Sequence, residues 1–364
     1  MKKIALITNH DDDVYCFRKE LLEELYNQGN EIIISCPYGE KLDLLKFKYE
    51  HDNPIIDRRG INPIKDLKLL IHYFKFLKKY KPDVVLNYTI KPNVYASIAC
   101  RIKHVEYINN ITGLGSVLKK GKILQGFIYK LLKFALKKSK CVFFQNETNM
   151  NLVLEKGIVK GTYKLIPGSG VNVSRYPIQS YPKDDKKIVF NYIGRVLSEK
   201  GVDDYIEAAK IIKEKGYNTE FNIIGFIEPT ESHYIEDFKK LEKDDIIKYR
   251  GQQKDVKPFI KKAHAIIHPS KYGEGMSNVL LENASSGRPI ITTDNPGCFE
   301  TVDNEKTGYI FKKGNVKDLV SKIEKFIKLP HTKKEKMGLS GRTKMEKEFD
   351  RKIVIDNYIS QIFK

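Results

Sequence analysis

A two-domain α/β protein, with a parallel sheet of Rossmann-like βαβ units in each half, is the fold class that the sequence predicts. Three observations lead there. The chain has 364 residues, too many for one ordinary hydrophobic core. Short apolar runs alternate with longer amphipathic ones, as parallel strands joined by crossover helices require. The alternation halts once, over 173–186 (VSRYPIQSYPKDDK), where two prolines and polar residues break all periodicity, and then resumes. The expected division is a first domain over 1–172, a linker over 173–186 and a second domain over 187–348. A last helix over about 349–364 is expected to pack back on the first domain.

Taken in order, 3–8 is a run of apolar residues bounded by charge, hence a buried strand. Residues 15–28 carry apolar positions at helical spacing, and 31–36 holds three consecutive isoleucines, a second strand. A helix follows at 63–80, ended by Lys81-Pro82, which cannot continue it. Then come a strand at 83–87, a helix at 92–102, a strand at 105–109, a helix at 121–138, a strand at 141–144 and a helix at 148–156. After the linker the strands are expected at 187–193, 221–224, 246–250, 265–268 and 289–292. Helices are expected at 202–215, 235–241, 255–262, 277–286, 316–327 and from about 333 to the end. In open α/β sheets ligands sit at the carboxyl ends of strands, so two such domains facing one another imply a cleft lined by strand-end loops.

Composition removes several classes. Hydrophobic residues at 41% can fill normal cores, and no run reaches the roughly 18 apolar residues of a membrane span. The N-terminal run IALIT is too short for a secretion signal and leads straight into charge. Five cysteines, Cys16, Cys36, Cys100, Cys141 and Cys298, are odd in number and scattered, which suits a reducing cytosol and neither disulfides nor structural zinc. The net charge of +19 is concentrated in the first half. From Val117 to Lys140 there are eight lysines and no acid, interleaved with Ile123, Leu124, Phe127, Ile128, Leu131, Leu132, Phe134 and Leu136. The run from Leu67 to Lys81 has the same character. Each reads as a helix suited to an anionic membrane face; a solvated lysine face on a core helix, or nucleic acid, is the competing explanation.

Two stretches carry chemistry. In 273–287, GEGMSNVLLENASSG, Glu274 precedes a helix start at Met276, Ser277, Asn278 and Val279, and Glu282 follows two turns on. The free N–H groups and dipole of a helix start favour phosphate, and a carboxylate accepts hydrogen bonds from sugar hydroxyls. In 194–201, GRVLSEKG, Gly194 permits close approach of backbone while Arg195 and Lys200 supply two cations after a strand. A diphosphate leaving a sugar gathers charge that such groups stabilise.

These stretches, with Ile224-Gly225, Tyr249-Arg250-Gly251, HPSKYGEGMSNVLLENASSGRPIITTD and GYIF, resemble the retaining glycosyltransferases of family four, which have the GT-B fold. The likeness runs through nearly the whole chain. In the first half VYCFRKELLEEL, TIKPNVYA, YINNITGLGS and IPGSGVN resemble bacterial transferases that extend lipid-linked sugars of capsule, O-antigen or protein glycans. The resemblance implies a UDP-sugar as co-substrate and no other cofactor. Arg195 and Lys200 would grip the donor diphosphate, Glu274 would contact the transferred sugar and Glu282 the ribose. Gly194 and the backbone of 276–279 would line sugar and phosphate, with Gly225 and Arg250 beside the base. The acceptor, a polyprenyl-diphosphate-linked saccharide, would meet Arg18, Thr89, Lys91, Asn93, Asn109, Asn110 and Thr112, with Gly113 and Gly115 keeping that loop close-fitting. For Thr89, Asn93 and Asn110, capping and turn duties compete with substrate contact. The expected place is the cytoplasm, peripherally on the inner face of the plasma membrane, with no nucleic-acid partner.

Two departures from the family pattern stand out. His10-Asp11-Asp12-Asp13 occupies the place of a glycine pair after the first strand. Thr112 stands where many members have a histidine, so the proton-handling group is open, with His10 only a weak substitute. The aspartates could suggest a divalent metal, but two protein cations already face the leaving group, so none is expected. A GT-B nucleotide-sugar epimerase, or a basic protein without catalysis, is the alternative reading.

Overall fold

The computed structural model describes residues 1–58, 60, 62–114, 121–184 and 186–364. The chain forms two compact units, Met1–Ser169 with Lys352–Lys364, and Gly170–Arg351. Each holds one all-parallel sheet.

In the first unit the strands are β1 (Lys3–Ile7), β2 (Glu31–Ser35), β3 (Glu50–Asp52), β4 (Val84–Tyr88), β5 (Glu106–Ile111), β6 (Cys141–Phe144) and β7 (Tyr163–Leu165), in the order β3-β2-β1-β4-β5-β6-β7. β1 (KIALI), β2 (EIIIS) and β6 (CVFF) carry apolar runs because both sheet faces are covered there. Ile4, Leu6, Ile32, Ile34, Val84 and Leu86 join one core, which also receives Val354, Tyr358 and Ile362 from the helix Arg351–Ile362. Ala5, Ile7, Ile33 and Val85 join another, beneath the helix Pro63–Tyr80. That helix starts on Asn62, whose side chain caps Ile64 and Lys65, and stops at Lys81 in the left-handed conformation.

The second unit has β8 (Ile188–Ile193), β9 (Thr219–Ile224), β10 (Lys248–Tyr249), β11 (Ala265–His268), β12 (Ile290–Thr293) and β13 (Gly308–Phe311), ordered β10-β9-β8-β11-β12-β13. Here too the alternation splits two cores, with Phe190, Tyr192, Phe221, Ile223 and Ile267 on one side and Ile193, Ile224, Ile266 and Ile290 on the other. Residues 173–182 lie within this unit. Gln179 N–H donates to Ser286 O at 3.1 Å, and the fully buried Arg288 reaches the carbonyls of Gln179 and Ser180.

Several elements differ from the expected bounds. The helix expected over 15–28 is two, Asp11–Phe17 and Lys19–Asn27, divided at Arg18 (φ −126°), and starts earlier because His10 caps Asp12 N–H. The last helix is also two, His331–Glu348 and Arg351–Ile362. Between them Phe349 O accepts from Val171 N–H at 2.8 Å and Arg351 N–H donates to Val171 O at 3.0 Å, so the backbone there pairs as a bridge instead of coiling. β3 and β7, three residues each, escaped periodicity because they are too short to show it.

On β9, burial alone would raise the Glu220 carboxyl, but hydrogen bonds from Lys187 and Asn222 and the charge of Lys248 bring it down to about 2. A depressed folded-state value contributes stability above the ordinary glutamate range and loses it as pH falls from about 4.5 towards 2. Glu220→Gln should therefore flatten the acid side of the stability curve in that window, as measured by urea unfolding at a series of pH values.

Candidate active site

The strand order of the second unit reverses between β8 and β11, and the loops leaving β8, β9, β11 and β12 meet at that carboxyl edge. Gly194 follows β8 with φ 155° and its N–H donates to Ile224 O at 2.9 Å. Gly225 follows β9 with φ 152°, and a Cβ there would lie 1.8 Å from Gly194 O. Beyond the glycines the two loops run on side by side: Val196 N–H donates to Phe226 O at 2.9 Å and Glu228 N–H to Val196 O at 3.3 Å. This pairing sets Arg195 against Glu228, with Nη1 2.7 Å from Oε1. Glu228 is buried, while the Arg195 side chain is 40% exposed and keeps further donors for a ligand.

The turn Ser198–Lys200 then brings the β8 loop to the β11 loop. Gly201, at φ 78°, packs so closely that a Cβ would be 1.9 Å from Pro269 O, and Lys271 N–H donates to Glu199 O at 2.9 Å. Lys200 Nζ therefore lies 2.7 Å from Glu274 Oε1, which also receives Ser270 Oγ at 3.0 Å and His268 Nε2 at 3.3 Å. His268 Nδ1 is buried with no partner among the described residues, while Nε2 also lies 3.2 Å from Ser277 Oγ. Burial would raise the Glu274 carboxyl, but the Lys200 charge and the His268 hydrogen bond outweigh it and hold it well below the usual range. It stays an anion that can accept hydroxyl groups.

The helix Asn278–Ser285 begins beside this carboxylate. The expectation of four free amides over 276–279 needs correction: Ser277 N–H donates to Gly297 O at 2.8 Å, in a close crossing where Gly297 holds φ 83°. The amides of Asn278 and Val279, first in the helix, have no partner among the described residues, and Asn278 Oδ1 is buried and unpaired. The Met276 side chain belongs to the core. Glu282 is half-buried; burial pushes its carboxyl up against a hydrogen bond from Tyr176 and the charges of Arg351 and Arg175. Arg250 follows β10 with its N–H on Ile223 O and its guanidinium on Asn222 Oδ1 at 2.9 Å and Glu220 at 3.5 Å, so its side chain serves the sheet edge.

In the first unit the order reverses between β1 and β4. Arg18 is buried with its guanidinium 4.3 Å from the centre of the Tyr88 ring. Lys91 is paired with Asp66 at 2.6 Å. Asn93 and Asn110 sit inside a buried ladder: Asn109 Nδ2 donates to Asn93 Oδ1 (2.8 Å) and to Ser97 Oγ (2.7 Å), Asn93 Nδ2 to Asn110 O (2.7 Å), and Asn110 Nδ2 to Tyr358 OH (2.7 Å). Their side chains hold β5 to neighbouring helices. Thr89 has φ 65°, costly for a β-branched residue, and its hydroxyl is buried without a partner among the described residues. With Asn93 and Thr112 it lines a small hollow. Gly115 and residues 117–120 lie outside the described residues. Among possible metal ligands, His10, Asp11 and Asp12 come within 4.8 Å of one another, but Lys41 already pairs with Asp12 and supplies positive charge there.

The sequence reading missed Glu228, Ser270 and His268 as partners of the cations and carboxylate. His268 and Ser270 stand in the HPS motif at the end of β11, and Glu228 follows β9 as Arg195 follows β8. Only the pairing of neighbouring strand exits reveals that Glu228 and Arg195 meet.

Comparison with known proteins adds to this geometry. The model of the glycosyl transferases group 1 matches residues 177–344, and that of a glycosyl transferase 4-like domain matches 3–146. The capsular polysaccharide biosynthesis glycosyltransferase CapM of Staphylococcus aureus is 26% identical, over 92% of this chain and 90% of its own. The N,N'-diacetylbacillosaminyl-diphospho-undecaprenol alpha-1,3-N-acetylgalactosaminyltransferase of Campylobacter jejuni is 25% identical, over 98% of this chain and 97% of its own. Among solved structures, Anabaena Alr3699/HepE in complex with UDP and glucose superposes with a TM-score of 0.80 at 15% identity, covering 100% of this chain and 99% of that one. At that identity the match shows the shared fold, two parallel-sheet domains of the GT-B type.

Proposed function

From the premise that this chain belongs to the family-four glycosyltransferases of GT-B fold, with one family model on each half, we propose a specific reaction for it. It moves a hexose or N-acetylhexosamine from a UDP-sugar to an undecaprenyl-diphosphate-linked saccharide, with retention at the anomeric carbon and without a metal, in the synthesis of a surface polysaccharide or glycan. The observation that carries the reading is the meeting of Lys200, Glu274 and the open amides of Asn278 and Val279 at the β8/β11 edge. Lys200 and Arg195 each spend one donor on a carboxylate and keep others for a diphosphate. With the helix start they stabilise the charge that grows as UDP departs. Glu274, held as an anion, takes hydroxyl groups of the transferred sugar, and Glu282 the ribose. Departure and attack share one face, and the diphosphate accepts the acceptor's proton. UDP is favoured by the Anabaena complex, and the lipid diphosphate by the Campylobacter relative's name. In the first unit Arg18, Lys91, Thr89 and Thr112 are assigned to the acceptor side.

A panel of nucleotide sugars, incubated with and without an undecaprenyl-diphosphate-linked acceptor, tests this. Acceptor-dependent consumption of a UDP-sugar is expected, with the product's anomeric NMR signal showing retention. Inversion removes the mechanism; donor converted to its epimer without acceptor, or a melting temperature raised by an oligonucleotide and not by UDP, removes the function.

The membrane surface belongs to the same proposal. No helix of the described residues is long and apolar enough to cross a membrane. The helix Lys122–Leu136 buries Leu132, Ala135 and Leu136 but leaves Ile123 93% exposed and Phe127 and Phe134 outward, among exposed lysines. Ile64, Leu67 and Ile71 do the same on the helix Pro63–Tyr80. Apolar residues set among cations suit an anionic lipid face. Ile123→Asp with Phe127→Asp should lower co-sedimentation with phosphatidylglycerol vesicles several-fold and leave turnover of a water-soluble acceptor analogue unchanged.

A further inference from the structure

The Arg195–Glu228 pair is built with more care than a surface ion pair. Both residues are fixed through backbone: the β8 and β9 exits pair at Val196 and Ile227, and the crossing of Gly194 and Gly225 sets their spacing. The contact is short, 2.7 Å, and Glu228 is buried. Tyr192 OH donates to Arg195 O at 2.8 Å, which fixes the arginine's main chain. What would otherwise be loose is the long arginine side chain. One carboxylate oxygen on Nη1 removes that freedom and leaves the rest of the guanidinium free to donate.

We propose that Glu228 is a positioning residue that aims the Arg195 guanidinium at the diphosphate of the nucleotide, an inference that rests on the donor-site reading above. Charge and geometry then predict opposite signs. By charge alone, removing an acid beside an anion site should tighten UDP binding. If Glu228 aims Arg195, its removal frees the side chain and weakens UDP despite the gain in positive charge. An arginine that nothing holds must be immobilised when UDP binds, which weakens affinity by about 2- to 10-fold.

Titration of UDP into wild type, Glu228→Ala, Glu228→Gln, Arg195→Ala and the double variant Arg195→Ala/Glu228→Ala decides between them. Glu228→Ala should bind UDP about 2- to 10-fold more weakly. Glu228→Gln, which keeps the shape and one acceptor oxygen, should fall between it and wild type. Because Glu228 acts through Arg195, the double variant should bind no more weakly than Arg195→Ala alone. A purely structural role would instead add its loss to that of Arg195→Ala and lower the melting temperature of both glutamate variants. Should Glu228→Ala prove too unstable, Glu228→Gln carries the comparison. Tighter or unchanged UDP binding in the glutamate variants, or additive losses, overturns this inference alone; a wild-type chain that ignores UDP overturns the donor-site reading with it.

Discussion

Arg195→Ala and Lys200→Ala should each reduce turnover by two to three orders of magnitude, with Lys200→Ala the more damaging to the fold. Removing one preorganised donor from a site where charge develops costs roughly 10²- to 10³-fold in rate. The two cations differ in what they leave behind. Arg195 is partly exposed, so water can reach Glu228 once the guanidinium is gone. Lys200 and Glu274 are both largely buried, and alanine at 200 would take the lysine's charge away from an ionised carboxylate that Ser270 and His268 also hydrogen-bond. Breaking one side of a buried pair typically costs about 3–5 kcal/mol. Lys200→Ala should thus lower the melting temperature by several degrees as well as the rate, whereas Lys200→Ala/Glu274→Gln should recover stability and not activity. Steady-state kinetics beside thermal melts separate the two effects; near-normal rates in either single variant would remove these cations from the leaving-group site.

Gly225→Ala should abolish activity although it adds only a methyl group. Its φ of 152° lies where L side chains rarely go, and the new Cβ would meet the Gly194 carbonyl oxygen at 1.8 Å. That oxygen is backbone, so relief requires the β8 and β9 exits to separate. Separation dismantles the pairing at Val196 and Ile227 that holds Arg195 to Glu228. Strain of this kind costs on the order of 1–3 kcal/mol before the clash is counted. Gly216→Ala is the control: its φ is 79°, but nothing lies within 4 Å of a Cβ there, so it tests conformational strain without the clash. A Gly225→Ala variant with wild-type UDP affinity would show that the close crossing is dispensable.

The two-sheet architecture was legible because strands covered on both faces leave unbroken apolar runs such as IALI and III, and these survive any ambiguity over helix ends. Breaks within helices were not legible. Nothing in the residues around Arg18 marks an interruption, and the break at Phe349–Asp350 depends on pairing with Val171, a partner far away in sequence. The site divides in the same way. Lys200 and Glu274 could be nominated because each stands in a glycine-flanked strand exit, and their 2.7 Å contact joins them. Asn93 and Asn110 were nominated by residue type, which is the same for a ligand-facing amide and for one locked into a buried ladder. Glu228 had no local signal, since an acid after a strand is ordinary until its neighbour across the sheet is known.

The helix Arg351–Ile362 gives the first core Val354, Tyr358 and Ile362, and closes the ladder through Tyr358. During synthesis those side chains leave the ribosome only after the whole second sheet has been translated. Until then the N-terminal sheet lacks the cover that Tyr358 gives to Tyr88, Asn110 and Phe143 on β4, β5 and β6, a surface for chaperones to shield. Maturation of the half made first waits on the half made second.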